Sequence, residues 1–172
     1  MGNNIDSEHE NMHKLENILY TELANANVSV RTWKRTGGGF AKLEEGVIDI
    51  PRPKNAYRLG VAFHEIGHIH FYRTFEGYDT LPVYMMEFMA EQYAINKLKM
   101  YNLPTRVYRL YATKYVIACL TKYKNTGGNM DDVPFNVRKW TSIKIKKWKD
   151  AKKVKIKPGD INSISDIIIN YD

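Results

Sequence analysis

Residues 61–73 read VAFHEIGHIHFYR, and no other stretch limits the fold of this chain as strongly. Val61, Ala62, Phe63, Ile66 and Ile69 make the run apolar nearly all round, the pattern of a helix buried on most sides. It nevertheless carries three of the chain's five histidines and a glutamate. A buried carboxylate is costly unless it is paired or faces a cation, so the core around this helix must supply a partner. His64 and His68 are spaced i and i+4, which puts both imidazoles on one helix face, one turn apart, where two ring nitrogens can hold one metal ion. Glu65 between them completes H-E-x-x-H, a pattern in which the glutamate serves as general base. The plainer alternative, two packed core histidines with a glutamate between them by chance, is weakened by those apolar flanks. His70 lies six positions from His64, on the far side of the helix, and is expected to pack or hydrogen-bond outside the pair.

Catalytic zinc takes three protein ligands and leaves one position open. The single Cys119 rules out a cysteine-rich zinc module and an internal disulfide, and fits a reducing compartment. No histidine follows His70, and Phe71 and Thr74 stand where the long metzincin pattern needs Gly and His. Carboxylates remain. In YMMEFMAEQYAINKLK, Glu87 and Glu91 are spaced i and i+4 on a stripe with Ala90, Ala94 and Leu98. Like charges at that spacing destabilise a helix, and an apolar stripe adds a burial cost. A cation or an imidazole N–H facing the stripe removes both objections. Glu87 is therefore taken as the third ligand and Glu91 as an acceptor that orients a ligating imidazole. Asp79 is the other candidate for the third ligand, and a solvated glutamate pair is the alternative reading.

The rest of the chain reads as an α+β domain. Apolar periodicity predicts helices over about 8–26, 55–75, 81–101 and 105–123. Short β-branched or turn-flanked runs at 28–33, 37–43 and 46–51 predict a small antiparallel meander, ended by Pro51 and Pro53. The strand at 46–50 is expected to be an edge that binds an extended substrate by strand addition. Beyond residue 129, SIKIKK and KKVKIK alternate like strands, whereas Trp140, Lys144 and Trp148 have helical spacing. The segmentation is a single domain over 1–172, with a core at about 28–123 and a basic extension at about 130–172.

VIDIPRPKNAYRLGVAFHEIGH resembles the segment of ImmA/IrrE-type zinc metallopeptidases in which a short strand and an Arg-containing helix start lead into HExGH. EFMAEQYA is similar to their E-x-x-A-N-x-F-A segment, with Glu87 at the ligand position, Ala90 and Ala94 at the alanines and Tyr93 at the phenylalanine. Glu91 stands where that family usually has Asn, although gluzincins in general use E-x-x-x-D/E. The likeness covers about 46–98. It implies a compact zincin-like domain, of a kind found in bacteria and their phages, with a small sheet on an active-site helix and a second, glutamate-bearing helix. Many such domains sit beside a helix-turn-helix repressor and cleave a partner regulator; no helix-turn-helix is recognisable in this sequence.

The expected activity is zinc-dependent peptide-bond hydrolysis: Zn2+ held by His64, His68 and Glu87, Glu65 as general base, Glu91 behind the ligands. A transition-state donor is also needed, for which Tyr72, Tyr78 and Tyr84 are candidates. The alternative is a nucleic-acid-associated or protein-binding module on a zincin scaffold, with a structural or vestigial metal site. It draws on 138–157, where ten lysines and arginines face one aspartate and account for the net charge of +7. Cations there can meet phosphates, or an acidic protein partner, and Trp140 and Trp148 can stack on bases; a solvated lysine face with core-packed tryptophans explains the same composition. The polar, acidic N-terminus is no signal peptide, and no run of 18 apolar residues exists, so a cytoplasmic location and no membrane association are expected.

Overall fold

The computed structural model describes residues 3–35 and 37–145. Helix α1 (Asn3–Ala26) lays Leu15, Leu19 and Leu23 into the core. It stops at Asn27, whose left-handed φ of 50° suits an asparagine closing a helix. Three strands follow: β1 (Ser29–Lys34), β2 (Phe40–Lys42) and β3 (Val47–Pro51).

The sheet is mixed, not the antiparallel meander expected from the sequence. Its order is β1-β3-β2, with β3 antiparallel to β2 and parallel to β1. The reason lies in burial. Ile48 and Ile50 of β3 are fully enclosed, so β3 takes the centre, while the polar residues of β1 suit an edge. β2 returns to β3 through a tight turn in which Gly46 adopts a φ of 65°. The stretch between β1 and β2 is not a hairpin turn, since the two strands are not neighbours; Gly39 lies instead against Glu65 in the middle of the next helix. Arg31 and Asp49 lock β1 to β3 through a two-point ion pair, Nε to Oδ1 at 3.0 Å and a close Nη2–Oδ2 contact. Because β3 is paired on both sides, it cannot accept a substrate strand, which corrects the edge role expected for 46–50.

Helix α2 (Ala56–Thr74) starts at Asn55, whose side chain accepts the Arg58 amide at 2.9 Å, an N-cap that fixes the helix entry. Every residue from Leu59 to Gly67 is buried. A single 3-10 turn at Tyr78–Thr80 leads to α3 (Val83–Met100), then α4 (Arg106–Asn125) and α5 (Phe135–Ile145). One core cluster joins α1, β3, α2, α3 and the start of α4; a second, around Phe88, Val116, Leu120 and Val137, joins α3, α4 and α5. The helix ahead of the segment expected to form the core thus shares that core. Its Glu22 is buried but satisfied, by Tyr101 Oη and Lys97 Nζ, each at 2.6 Å.

The helical reading of the region around Trp140 is the right one as far as Ile145, and Ser142–Ile145 of the strand-like SIKIKK belong to α5. Trp140 packs edge-on against Phe88 with ring centres 5.5 Å apart, so its ring serves the core. The remainder of the basic segment, with Trp148 and KKVKIK, lies outside the described residues. None of the described helices is long and apolar enough to cross a membrane.

Two glycines of α2 set how closely its neighbours approach. A Cβ on Gly67 would meet Tyr93 of α3 at 3.1 Å, and one on Gly60 would enter the Tyr108 ring at 2.4 Å. Gly60→Val is therefore expected to destabilise the fold by about 1–3 kcal/mol, the usual cost of overpacking. Chemical denaturation checks this; an unchanged unfolding midpoint would mean that Tyr108 is not wedged against α2.

Candidate metal centre

The buried faces of α2 and α3 meet at three side chains. His64 Nε2 and His68 Nε2 lie 3.0 Å apart, and Glu87 Oε2 lies 3.1 Å from the first and 3.4 Å from the second. The i, i+4 spacing on α2 aligns the imidazoles, and α3 crosses close enough for Glu87 to complete a triangle. Four tetrahedral ligands at about 2.0–2.1 Å from zinc are separated by about 3.3–3.4 Å, so this triangle has the edge lengths of a zinc ligand set. The two imidazole nitrogens and the carboxylate oxygen are close enough to share a proton or a divalent cation.

The protonation pattern points the same way. His68 Nδ1 is 2.8 Å from Tyr78 Oη, whose own proton goes to the Met86 carbonyl at 3.1 Å. Tyr78 must then accept from His68 Nδ1–H, which leaves the His68 Nε2 lone pair facing His64 and Glu87. On the other imidazole, His64 Nδ1 faces Glu91 Oε1 at 3.4 Å, and Glu91 Oε2 accepts from Tyr108 Oη at 2.6 Å. Glu91 thus stands behind His64, where the sequence put an orienting acceptor.

Charge in the seam is unbalanced. Glu65 and Glu91 are 6% and 5% exposed, and Glu87 is nearly as enclosed. Burial pushes the His64 imidazole down, but Glu91, Glu87 and Glu65 outweigh it and hold it well above the ordinary histidine value. Burial pushes Glu87 up, yet His64 and His68 bring it far below the usual carboxylate range. Without a metal, a proton on His64 stands in for the cation. Glu87 Oε2 and His64 Nδ1 remain buried without a well-formed hydrogen bond. The residues present therefore fit a divalent cation in donor type, spacing and charge.

Glu65 also comes within 4.8 Å of the two histidines. Its side chain is seated on the glycine stretch, since a Cβ on Gly39 would lie 2.3 Å from the Glu65 carboxylate. Burial raises its pKa. Of the three carboxylates near the imidazoles, Glu87 reaches both Nε2 atoms, Glu91 faces His64 Nδ1, and Glu65 lines a cavity beside His64 with Gly38, Gly39 and Tyr115.

Other expected residues fall elsewhere. Asp79 is exposed on the 3-10 turn and lines a separate surface hollow with Tyr72, Lys42 and Glu45. Tyr84 is buried in the second core cluster against Tyr123. Tyr78 is at the site, but behind His68 and committed there. His70 packs against Phe71 and Tyr93, outside the pair, as its spacing requires. The sequence reading missed Tyr115, whose hydroxyl lies 3.4 Å from Glu87 Oε1 and whose ring is edge-on to His64, with centres 6.3 Å apart. It also missed Tyr108 behind Glu91 and Gly39 against Glu65. The signal was Tyr108, Tyr111 and Tyr115 recurring on one face of α4, which by itself reads equally well as packing.

No protein-family model, curated protein or solved structure matches this chain.

Two measurements test this geometry. Glu87→Ala is expected to weaken zinc binding by more than the roughly 10–100-fold typical of residues behind the ligands. Glu91→Ala should fall within that range and Asp79→Ala should have no effect, as read by competition with a chromogenic chelator; loss of zinc in Asp79→Ala with retention in Glu87→Ala would contradict the assignment. The second concerns pH. The folded pKa of His64 is raised, so in metal-free protein its stabilisation is complete below about pH 6.5 and is lost as pH rises through the folded value. Zinc displaces that proton. The zinc-induced rise in Tm should therefore widen from about pH 6.5 upward; a constant or shrinking rise would contradict a protonated His64 at the metal position.

Proposed function

We propose that the chain is a zinc-dependent peptidase of the zincin type, related to the ImmA/IrrE-type enzymes that its HEIGH and EFMAEQYA segments resemble. The observation that carries this reading is the convergence of His64 Nε2, His68 Nε2 and Glu87 Oε2 at 3.0–3.4 Å, with Glu65 beside them at a cavity. His64, His68 and Glu87 would hold the ion. Bound there, zinc supplies Lewis acidity and brings the pKa of water close to neutral.

Glu65 accepts the proton of the attacking water and passes it to the leaving amine. Burial raises its pKa, which makes it a stronger base toward that water. Tyr115 takes the donor role sought among Tyr72, Tyr78 and Tyr84. Burial and the nearby carboxylates raise its pKa, so its hydroxyl stays protonated, and it faces the ligand set from the cavity side. Strand addition moves from β3 to β2, an edge strand that runs directly on from Gly38 and Gly39. A scaffold with a purely structural metal has no use for a carboxylate held, at a burial cost, at the rim of a cavity.

Glu65→Gln preserves shape but cannot take the proton. It is expected to lower activity by about 10²–10⁴-fold while zinc content and Tm hardly change. Comparing new protein N-termini in a lysate treated with wild type and with Glu65→Gln supplies substrates and tests the claim together. Equal cleavage by the two forms would remove Glu65 as the base, and no cleavage by either would favour the binding-module alternative.

A further inference from the structure

The face of α4 turned away from the metal centre has the chemistry of an interface. Arg106, Leu110, Lys114, Ile117, Thr121 and Lys124 recur at intervals of three and four, so they form one stripe along the helix. Arg106 and Lys124 are exposed, and the four residues between them are each partly exposed. Val107, beside the stripe, is 44% exposed. On its other side α4 gives Tyr108, Ala112, Val116 and Leu120 to the two core clusters, and among the described residues Leu110 and Ile117 belong to neither cluster.

A surface helix with one apolar stripe ordinarily carries polar residues on the opposite face. Here both faces bear branched aliphatic side chains, and the helix has five lysines and arginines without a single carboxylate. The surface therefore suits an occupant that is both apolar and anionic. Nucleic acid would meet the cations but leave Val107, Leu110 and Ile117 in water. The same face of a second copy would set cations against cations.

One stretch of this chain has the complementary composition. Residues 158–172, outside the described residues, read PGDINSISDIIINYD, with three aspartates, five isoleucines and no lysine or arginine. Asp160, Ile164, Ile168 and Asp172 place two isoleucines between two anions, as Leu110 and Ile117 lie between Arg106 and Lys124. The stretch is also within reach. Helix α5 ends its described part at Ile145 and packs on α4, with Val137 in one cluster with Val116 and Leu120. Residues 146–157 can span up to about 40 Å. At 1.5 Å per residue α4 is only about 30 Å long. A tether of that length gives an effective concentration on the order of millimolar, which favours the attached segment over an outside acidic partner.

We propose that residues 158–172 dock on the outer face of α4, their isoleucines against Leu110 and Ile117 and their aspartates facing Arg106 and Lys124. The inner face of the same helix carries Tyr108 to Glu91 and Tyr115 to Glu87, so the docked segment braces the metal centre from behind. The proposal stands whether or not the chain cuts peptides.

Methyl NMR on the full chain, labelled at isoleucine and leucine, tests it. Cross-peaks are expected from the Leu110 and Ile117 methyl groups to the isoleucines of 161–169. Asp160→Lys with Asp172→Lys should lower their intensity at least about threefold, because two surface ion pairs become repulsions. Adding Arg106→Glu and Lys124→Glu to that variant should restore them. Absence of these cross-peaks in wild type overturns the proposal, as do cross-peaks that the charge reversals leave unchanged. Cross-peaks seen only between differently labelled copies would assign the face to a second molecule and overturn it too. So would an Ile117 signal that is indifferent to the aspartate changes but shifts on adding an oligonucleotide. The wild-type arm decides even if the fourfold variant does not fold.

Discussion

The contact on which the rest depends is the meeting of two imidazoles and a carboxylate across the α2–α3 seam. Each group is costly to bury there alone: a carboxylate and two imidazoles give up their hydration, and two Nε2 atoms 3.0 Å apart need a proton or a cation between them. A cation turns all of these into attraction at once. The surrounding fold is built to hold the three atoms at that separation. Gly67 lets α3 lie against α2, Asn55 sets where α2 begins, and the fully enclosed Ile48 and Ile50 of β3 sit in the same core as α2.

Around the triangle stands a shell made largely of tyrosines, each with a different task. Tyr78 fixes the tautomer of His68 through its contact to Nδ1, because its own proton goes to Met86. Tyr108 holds Glu91, which faces His64. Tyr115 approaches the oxygen of Glu87 that points away from the imidazoles. Tyrosine suits such positions because its ring fills apolar space while its hydroxyl satisfies a buried acceptor. Neutral donors also leave the charge in the seam for a cation to balance, which lysines or arginines in the same places would not.

The centre was legible in the sequence because it is written in helix periodicity. His64 with His68, and Glu87 with Glu91, are i, i+4 pairs, and apolar flanks marked both faces as buried. The glutamates facing the histidines were read from their stripe, but the tyrosines that hold these groups were not legible. Tyr78 belongs to a turn and Tyr115 to a helix whose tyrosine stripe has the spacing of ordinary packing. The strand order failed for a related reason. Three short runs joined by glycines read locally as hairpins, and only the burial of Ile48 and Ile50 places β3 in the middle. The glycines at 37–39 looked like a turn because glycine is the usual turn residue; here their lack of side chains makes room for Glu65. Trp140 could have served a binding face or the core, and Phe88, 52 positions earlier, decided for the core.

The central claim is that His64, His68 and Glu87 form one metal site. X-ray absorption at the zinc edge, on protein loaded with one equivalent of zinc, tests it most directly. The account predicts an ion with two imidazole nitrogens at about 2.0–2.1 Å, oxygen for the remaining ligands and no sulfur, and loss of one imidazole signature in His68→Ala. Protein that takes up no zinc, or zinc whose spectrum is the same in wild type and in His68→Ala, would contradict it.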